Sequence, residues 1–383
     1  MKILWVPHSS WRTDHHQRDQ YLIQRLATSH EVHVGLWEIC LRRIDYLNPI
    51  KYISSLRYHQ KHQLTDNYRI TIHHIPRVLD ITYRARKDPT EFLSYNERLF
   101  QDTIRRIVRK HGIEALICGP NAPLLGFPPS LSIPIVFDYL DGGVNVPADN
   151  PWWKMEEEYF RRADGVLCIS QGMIERVQSR GKEALLLPNG ADLKRFQAAS
   201  GERVRKELGL TGRKVVSLIG LTCSERPYFI KAVEKVRQND PAAACLLVGN
   251  KRVAKRLLSH VSPDHRQHFI YAGEIPYEKI ADYFAASDVG VYPVEEEPYY
   301  EDASPIKVFE YAAAGKPVVA PRLRELRRLG LAHLKLVPPT ETGFADGIHQ
   351  ALRQGRIESD DLKEFDWMNL SRKLECFLKS LTN

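Results

Sequence analysis

Short apolar runs rich in β-branched residues alternate with longer stretches of helical period from one end of the chain to the other. In the first half the runs are KILWVP, HEVHVGLWE, YRITIHHIP, EALICGP, IPIVFDYLD, GVLCIS and EALLLPNG, with helical patterns between most of them, as at 91–111 and 151–163. After a polar stretch a second series begins: RKVVSLIG, AAACLLVGN, HFIYAGEI, VGVYPV, PVVAP and LKLVP. Continuous apolar strands spaced by helices are the pattern of a parallel sheet covered on both faces. Two such series predict an α/β protein of two doubly wound, Rossmann-like domains. Ligands in such sheets sit at the carboxyl ends of the strands, so the two domains are expected to face a cleft. The stretch PNGADLKRFQAASGERVRKELGL (188–210) reads as the junction, and the amphipathic tail DDLKEFDWMNLSRKLECFLKSLTN as a terminal helix. The expected divisions are 1–195, 196–360 and 361–383.

Composition narrows this picture without redirecting it. A length of 383 residues suits two domains, and 43% hydrophobic with 27% charged residues is the balance of an ordinary globular protein. No stretch approaches the roughly eighteen apolar residues of a membrane-spanning helix. The opening MKILWVPHSSWRTD has too short an apolar run for a signal peptide and reads as a first strand, so a cytoplasmic location is expected. Six scattered cysteines with no C-x-x-C pair point to free thiols rather than zinc or disulfides.

Charge is more informative, because it is uneven. The chain carries 55 Lys+Arg against 47 Asp+Glu, a net charge of +8. Between Arg42 and His111 there are 15 basic and 7 acidic residues, so this segment alone accounts for the whole excess. Six tyrosines and five histidines lie among those cations. Such a segment suits an anionic membrane surface, or else it is an ordinary solvated face.

The chemistry concentrates in EDASPIKVFEYAAAGKPVVAP, 301–321. Ser304 is expected to cap a helix, with Pro305 at its first position, where the missing N–H costs nothing. Lys307 then falls in the first turn, where its charge opposes the helix macrodipole unless an anion is bound. The backbone N–H groups of Ile306 and Lys307, with the ammonium, would hold a phosphate or diphosphate. Glu310 lies one turn on, on the same face. It either pairs with Lys307 on a solvated surface or accepts hydrogen bonds from ribose hydroxyls. The three alanines let the helix lie close to the sheet, and Gly315 ends it.

DASPIKVFEYAAAGKPVVA resembles the donor-site motif of GT-B glycosyltransferases, in particular the family-4, glycosyl transferases group 1 type, in its Ser-Pro-x-Lys form. The resemblance implies Lys307 on the diphosphate, Glu310 on the ribose and Asp302 near the donor sugar, although the family usually has Glu at the position of Asp302. Further pieces follow in family order. LPNGAD (187–192) resembles the PNGVD that closes the first domain, and SLIGLTCSERP (217–227) the glycine-rich turn of the nucleotide domain. In that turn Gly220 matches, Leu221 replaces the usual Arg, and Arg226 stands where a Lys is expected, which leaves Lys307 and Arg226 as the main cations implied for the diphosphate. YAGEIPYEK resembles the segment whose loop, here Glu274, Ile275 and Pro276, meets the base. FDWMNLSRKLECFL resembles the helix that crosses back to the first domain.

In the first domain, PIVFDYLDGG ends a strand with Asp138 and Asp141, either of which could serve as the base of an inverting transfer. Otherwise Asp141 caps the loop and Asp138 is a structural partner. His8, at the end of the first strand, is a further catalytic candidate. The family's usual glycine pair is replaced here by Ser9, Ser10 and Trp11. His15, His16, Arg18 and Asp19 read as a polar helix entry rather than a metal site, and no D-x-D motif stands near the cleft.

The expected activity is metal-independent transfer of a sugar from a nucleotide-diphosphate sugar, with UDP- and GDP-sugars foremost, to a glycan or lipid-linked acceptor. No cofactor and no metal are expected, and no nucleic acid, since no motif that reads it is present. The protein would sit in the cytoplasm, peripherally on the inner face of the membrane. The alternatives are a GT-B sugar-nucleotide epimerase or a non-catalytic relative that binds a nucleotide or polyanion.

Overall fold

The computed structural model describes residues 1–8, 18–37, 40–42, 69–75, 77–79, 90–120, 126–140, 152–222 and 224–382. Side chains of 40–42, 77–79, 90–95 and 152–155 are outside this description. Strands such as Lys2–Val6 and Ile135–Tyr139 are buried almost from end to end, as their unbroken apolar sequences require.

The first unit, Met1–Leu187 with Ser371–Asn383, contains β1 (Lys2–Val6), β2 (Glu31–Leu36), β3 (Cys40–Arg42), β4 (Ile70–His74), β5 (Arg77–Leu79), β6 (Ala115–Cys118), β7 (Ile135–Tyr139), β8 (Gly165–Cys168) and β9 (Glu183–Leu186). Seven of these form one parallel sheet in the order β4-β2-β1-β6-β7-β8-β9, and β3 pairs with β5 alone. The chain runs outward from β1 and returns at β6, so the order reverses between these two strands. At that reversal a Cβ on Gly119 would lie 2.8 Å from the His8 backbone nitrogen; glycine is what lets the two strand ends approach.

The second unit, Pro188–Leu370, contains β10 (Lys214–Leu221), β11 (Ala243–Gly249), β12 (Phe269–Tyr271), β13 (Val289–Val291), β14 (Val318–Pro321) and β15 (Leu334–Val337). They form a parallel sheet in the order β12-β11-β10-β13-β14-β15, with the reversal between β10 and β13. Apolar clusters cover both faces. One gathers Phe284, Phe309, Tyr311 and Phe365; the other gathers Phe229, Ile230, Phe344 and Ile348.

The two units divide inside the terminal helix Trp367–Thr382. Its last turns belong to the first unit, where Phe377 and Leu381 pack over Gly165 so closely that a Cβ there would come within 2.7 Å of the Phe377 ring. The junction segment is helical at Leu193–Ala198 and Glu202–Glu207. Cys118, Cys168 and Cys245 are buried free thiols, and Cys376 is an exposed one. No described helix is long and apolar enough to cross a membrane.

Candidate active site

In a doubly wound sheet the strand-order reversal opens a crevice at the carboxyl ends; in the second unit that is the end of β10 beside β13. The register slips there between Ile219 and Leu221, and Gly220 takes a φ of 74°, a left-handed conformation that turns its carbonyl away from the ladder. That carbonyl accepts a hydrogen bond of 2.8 Å from the Lys307 ammonium, which reaches across from the helix Ile306–Ala313.

This helix begins one residue later than the sequence implied. Pro305 is its cap, with φ −72° and ψ 121°, and no side chain caps the first turn. Ser304 has another task. Its hydroxyl accepts from the Asn189 N–H at 3.1 Å, and its carbonyl accepts from the Asn189 side-chain amide. Asn189 of the LPNGAD stretch therefore fixes the turn, while the Ile306 and Lys307 N–H groups meet no acceptor among the described residues. Two N–H groups without an acceptor among the described residues, at the positive end of a helix and beside an ammonium, suit an anion.

Lys307 is not left unopposed at the helix dipole. Its ammonium lies 3.1 Å from Oε1 of Glu225, which is 1% exposed. Glu225 also accepts from the Thr222 N–H at 2.9 and 3.0 Å and from the Thr222 hydroxyl at 2.9 Å. Burial pushes the Glu225 carboxyl up, but the Lys307 charge and the Thr222 N–H outweigh it and hold the group below its ordinary value. Glu225 thus stays charged and aims the lysine over the strand end.

Glu310 shares the face of Lys307 but forms no ion pair with it. Burial pushes its carboxyl up to about 7, against the opposing charges of Lys307 and Arg195. Among the described residues no donor bonds that carboxyl. Arg195 is held elsewhere: it donates to the Tyr277 carbonyl and stacks its guanidinium 3.9 Å from the Tyr277 ring centre. Tyr277 starts the helix that follows the loop of Glu274, Ile275 and Pro276. In that loop Glu274 is exposed, and Ile275 packs against the core.

Two expected residues are engaged away from this group. Arg226 pairs with Glu297 at 3.3 Å and Glu295 at 3.4 Å rather than standing free for a diphosphate. Asp302 is 2% exposed and forms an ion pair with Arg324, so its carboxylate is turned to a partner instead of open space. The neighbouring acids brace the same turn, since Glu301 accepts from the Arg324 N–H at 2.6 Å and Glu296 from the Arg322 N–H at 3.0 Å.

In the first unit Asp138 is 1% exposed and pairs with the buried Arg18 guanidinium at 3.3 Å. Burial raises its carboxyl despite the attraction of Arg18. The carboxyl is therefore closed off from solvent and engaged by Arg18. His8 follows β1 at the strand-order reversal, half buried. Asp141, Ser9, Ser10, Trp11, His15 and His16 lie outside the described residues, as does most of the segment 42–111.

The sequence reading missed Glu225, Thr222, Asn189 and Arg195. An acid inside the glycine turn was a signal for the first, since a buried carboxylate needs a cation and Lys307 was already in view.

Residues 214–354 match the family described as glycosyl transferases group 1. TuaC of Bacillus subtilis (strain 168), named as a teichuronic acid biosynthesis glycosyltransferase, is 28% identical over 251 residues, 61% of this chain and 60% of its own. TuaH of the same organism, named for the same process, is 26% identical over 177 residues, 44% of this chain and 43% of its own. The chain therefore spans less than two thirds of either relative. Among solved structures, HepE of Anabaena in complex with UDP superposes with a TM-score of 0.67 at 16% identity, with both chains fully covered. Sucrose-phosphate synthase of Thermosynechococcus elongatus does so at 0.63 and 16%, covering 100% of this chain and 95% of that one. At such identities these structures establish a shared fold, the GT-B arrangement of two parallel-sheet α/β domains.

Proposed function

We propose that this chain is a group 1 glycosyltransferase, a reading supported by the match over residues 214–354, and that it moves a sugar from a nucleotide-diphosphate sugar to a glycan or lipid-linked acceptor. Lys307, with the Ile306 and Lys307 N–H groups, takes the diphosphate; Glu310 takes the ribose hydroxyls; the loop of Glu274 and Ile275 borders the base. The observation that carries this reading is the unpartnered Glu310 carboxyl beside Lys307 at the β10–β13 reversal. A surface salt bridge would have joined the two side chains. Here Lys307 is held by Glu225 and Gly220, so the acid is left for something else.

As the donor sugar leaves, negative charge builds on the diphosphate. The helix N-terminus and Lys307 face that charge and stabilise it without a bound cation. Glu225 keeps the ammonium in place before the donor arrives. Because Arg226 is tied to Glu295 and Glu297, its share in the grip requires those pairs to open. UDP-sugars are the first donors to test, since HepE is a UDP complex and this chain shares its fold.

On this reading the acceptor is bound by the first unit. Its basic segment, 42–111, brings the protein to an anionic membrane surface, where a lipid-linked acceptor would be presented from the cytoplasmic side.

A thermal-shift and calorimetric screen against UDP, GDP, ADP and their sugars tests the donor assignment. One diphosphate series should bind, and Lys307→Ala should weaken it by roughly 1.5–3 kcal/mol, the range for a lost charge-assisted contact. Unchanged affinity in that variant removes the diphosphate from this helix end. Binding without turnover of any donor would favour a non-catalytic relative.

A further inference from the structure

Three histidines outside the donor site converge in the first unit. His33 stands in β2, His73 in β4, and His111 is the last residue of the helix Thr90–His111. One ring nitrogen from each lies within 4.8 Å of the other two. The ring centres form a nearly equilateral triangle, 5.0 Å apart for His33–His73, 4.7 Å for His33–His111 and 4.9 Å for His73–His111.

The protonation pattern follows from the neighbours. Nε2 of His33 lies 3.0 Å from Oε1 of Glu31, so that nitrogen carries the proton and donates to the carboxylate. Nδ1 of His33 is then left with a lone pair, and it faces Nε2 of His73 at 2.7 Å. Two arrangements satisfy this contact. Either His73 donates to His33, or both lone pairs point at one cation and the nitrogens part slightly. In a tetrahedral zinc site with Zn–N near 2.0–2.1 Å, ligand nitrogens stand about 3.4 Å apart, which small ring rotations reach from the observed spacing.

We propose that His33, His73 and His111 form a divalent transition-metal site, with zinc as the ion of choice and Glu31 orienting His33 from behind. A carboxylate on the far nitrogen of a ligating imidazole fixes its tautomer and raises its basicity. Imidazole nitrogens without thiolates suit zinc, copper, nickel and iron, and zinc imposes no electronic geometry on the three. His111 sits at a helix C-terminus, the negative end of the macrodipole, which favours a cation there. Burial keeps the His33 and His73 rings neutral, the form that binds metal. His33 is 1% exposed while His73 and His111 are half buried, so an ion can enter from one side. The opposing charges are Lys110 beside His73 and Lys2, whose ammonium is 3.4 Å from Glu31.

The role is structural. The ligands are 40 and 38 residues apart in sequence, and the ion would tie the outer strands β2 and β4 to the end of the helix. Both intervening segments, 34–72 and 74–110, would then start and finish at the same clamp. The site belongs to the first unit and shares no residue with the donor site of the second.

The test is titration of the untagged, chelator-treated protein, residues 1–383, with Zn²⁺ by calorimetry, and with Co²⁺ by visible absorption. One equivalent should bind, the thermal midpoint should rise, and Co²⁺ should give the bands of a tetrahedral nitrogen site. His73→Gln should abolish stoichiometric binding, and Glu31→Gln should weaken it about 10- to 100-fold with the fold intact by circular dichroism. His260→Ala, on an exposed residue of the second unit, should change nothing. No binding by the wild type, full binding by His73→Gln, or thiolate-to-cobalt charge transfer would each overturn the proposal. UDP binding should be unaffected by either zinc or His73→Gln, which separates this site from the donor reading.

Discussion

At the scale of single residues, the carboxyl of Glu310 gives the most direct test of the donor site. Burial raises it from its ordinary value of 4.5 to about 7. A raised carboxyl leaves the fold unaffected below pH 4.5, where folded and unfolded chains are both protonated. Between pH 4.5 and 7 the unfolded chain ionises first, so stability falls, and it levels off above 7. The loss at pH 8 is on the order of 3 kcal/mol. Glu310→Gln should therefore match the wild type in thermal midpoint near pH 4.5 and exceed it at pH 8. Ribose hydroxyls donating to the carboxylate favour its charged form, so nucleotide binding should release a proton near neutral pH. Calorimetry of UDP in buffers of differing ionisation heat should show that release in the wild type and lose it in Glu310→Gln; equal proton release in both would take Glu310 out of the site. The pair of Lys307 and Glu310 was legible because helix periodicity puts them on one face. What spacing could not decide was whether they bind each other. That depended on Glu225, 82 residues away from Lys307 in sequence and brought to it only by the turn after β10. The histidine triad was hidden for the same reason, since His73 and His111 read as part of a basic segment and His33 as part of a separate strand until β2 and β4 paired.

At the scale of elements, the helix Ile306–Ala313 is positioned by what it buries. Tyr311 is fully buried and its hydroxyl meets the Ser217 carbonyl at 2.9 Å, the Ser217 hydroxyl at 2.9 Å and the Ile219 N–H at 3.1 Å. All three partner atoms belong to Ser217 and Ile219 of β10, just before Gly220 in the same strand, so the tyrosine sets the helix against the strand whose carbonyl Lys307 must reach. Gly290 of β13 makes room for it, because a Cβ there would lie 2.5 Å from the ring. Tyr311→Phe keeps the ring and removes the hydroxyl, leaving buried β10 groups without their partner. Stability should drop by about 1–3 kcal/mol, and UDP affinity should fall although no ligand contact is removed. A stability loss with unchanged affinity would mean that the helix holds its place without this bond. The strands and helices themselves were readable, down to Thr90–His111 and Trp152–Arg162 against the expected 91–111 and 151–163. Local periodicity and Ala-rich packing are properties of neighbouring residues. The cap was misread because Ser-Pro satisfies two start rules at once, and the serine's actual partner, Asn189, lies 115 residues away in sequence. The short pair β3–β5 went unseen, since three-residue strands carry too little pattern.

At the scale of the whole molecule, the net charge of +8 lies in 42–111, while the proposed donor site lies in the second unit. Separating the two lets a protein be drawn to a surface by one unit and bind a small anion with the other, without either attraction weakening the other. The described part of the basic segment shows how its charge is displayed. On the helix Thr90–His111, Ile104 and Ile107 are buried, and Arg98, Arg106, Arg109 and Lys110 are exposed. These side chains have no acidic partner among the described residues, in contrast to Arg105, which pairs with Asp102 at 3.2 Å. Near an anionic bilayer each such cation contributes about 1 kcal/mol, and the attraction fades over a Debye length of about 8 Å at physiological salt. Replacing Arg106 and Arg109 with glutamate should then weaken binding to vesicles containing an anionic phospholipid by at least about 2 kcal/mol, roughly thirtyfold. Neutral phosphatidylcholine vesicles should bind neither form, and raised salt should release the wild type. UDP affinity, measured on the same preparations, should stay constant throughout, because the substituted residues are in the other unit. Vesicle binding that ignores both salt and charge reversal would leave the basic segment as a solvated face and remove the reason to look for a lipid-linked acceptor first.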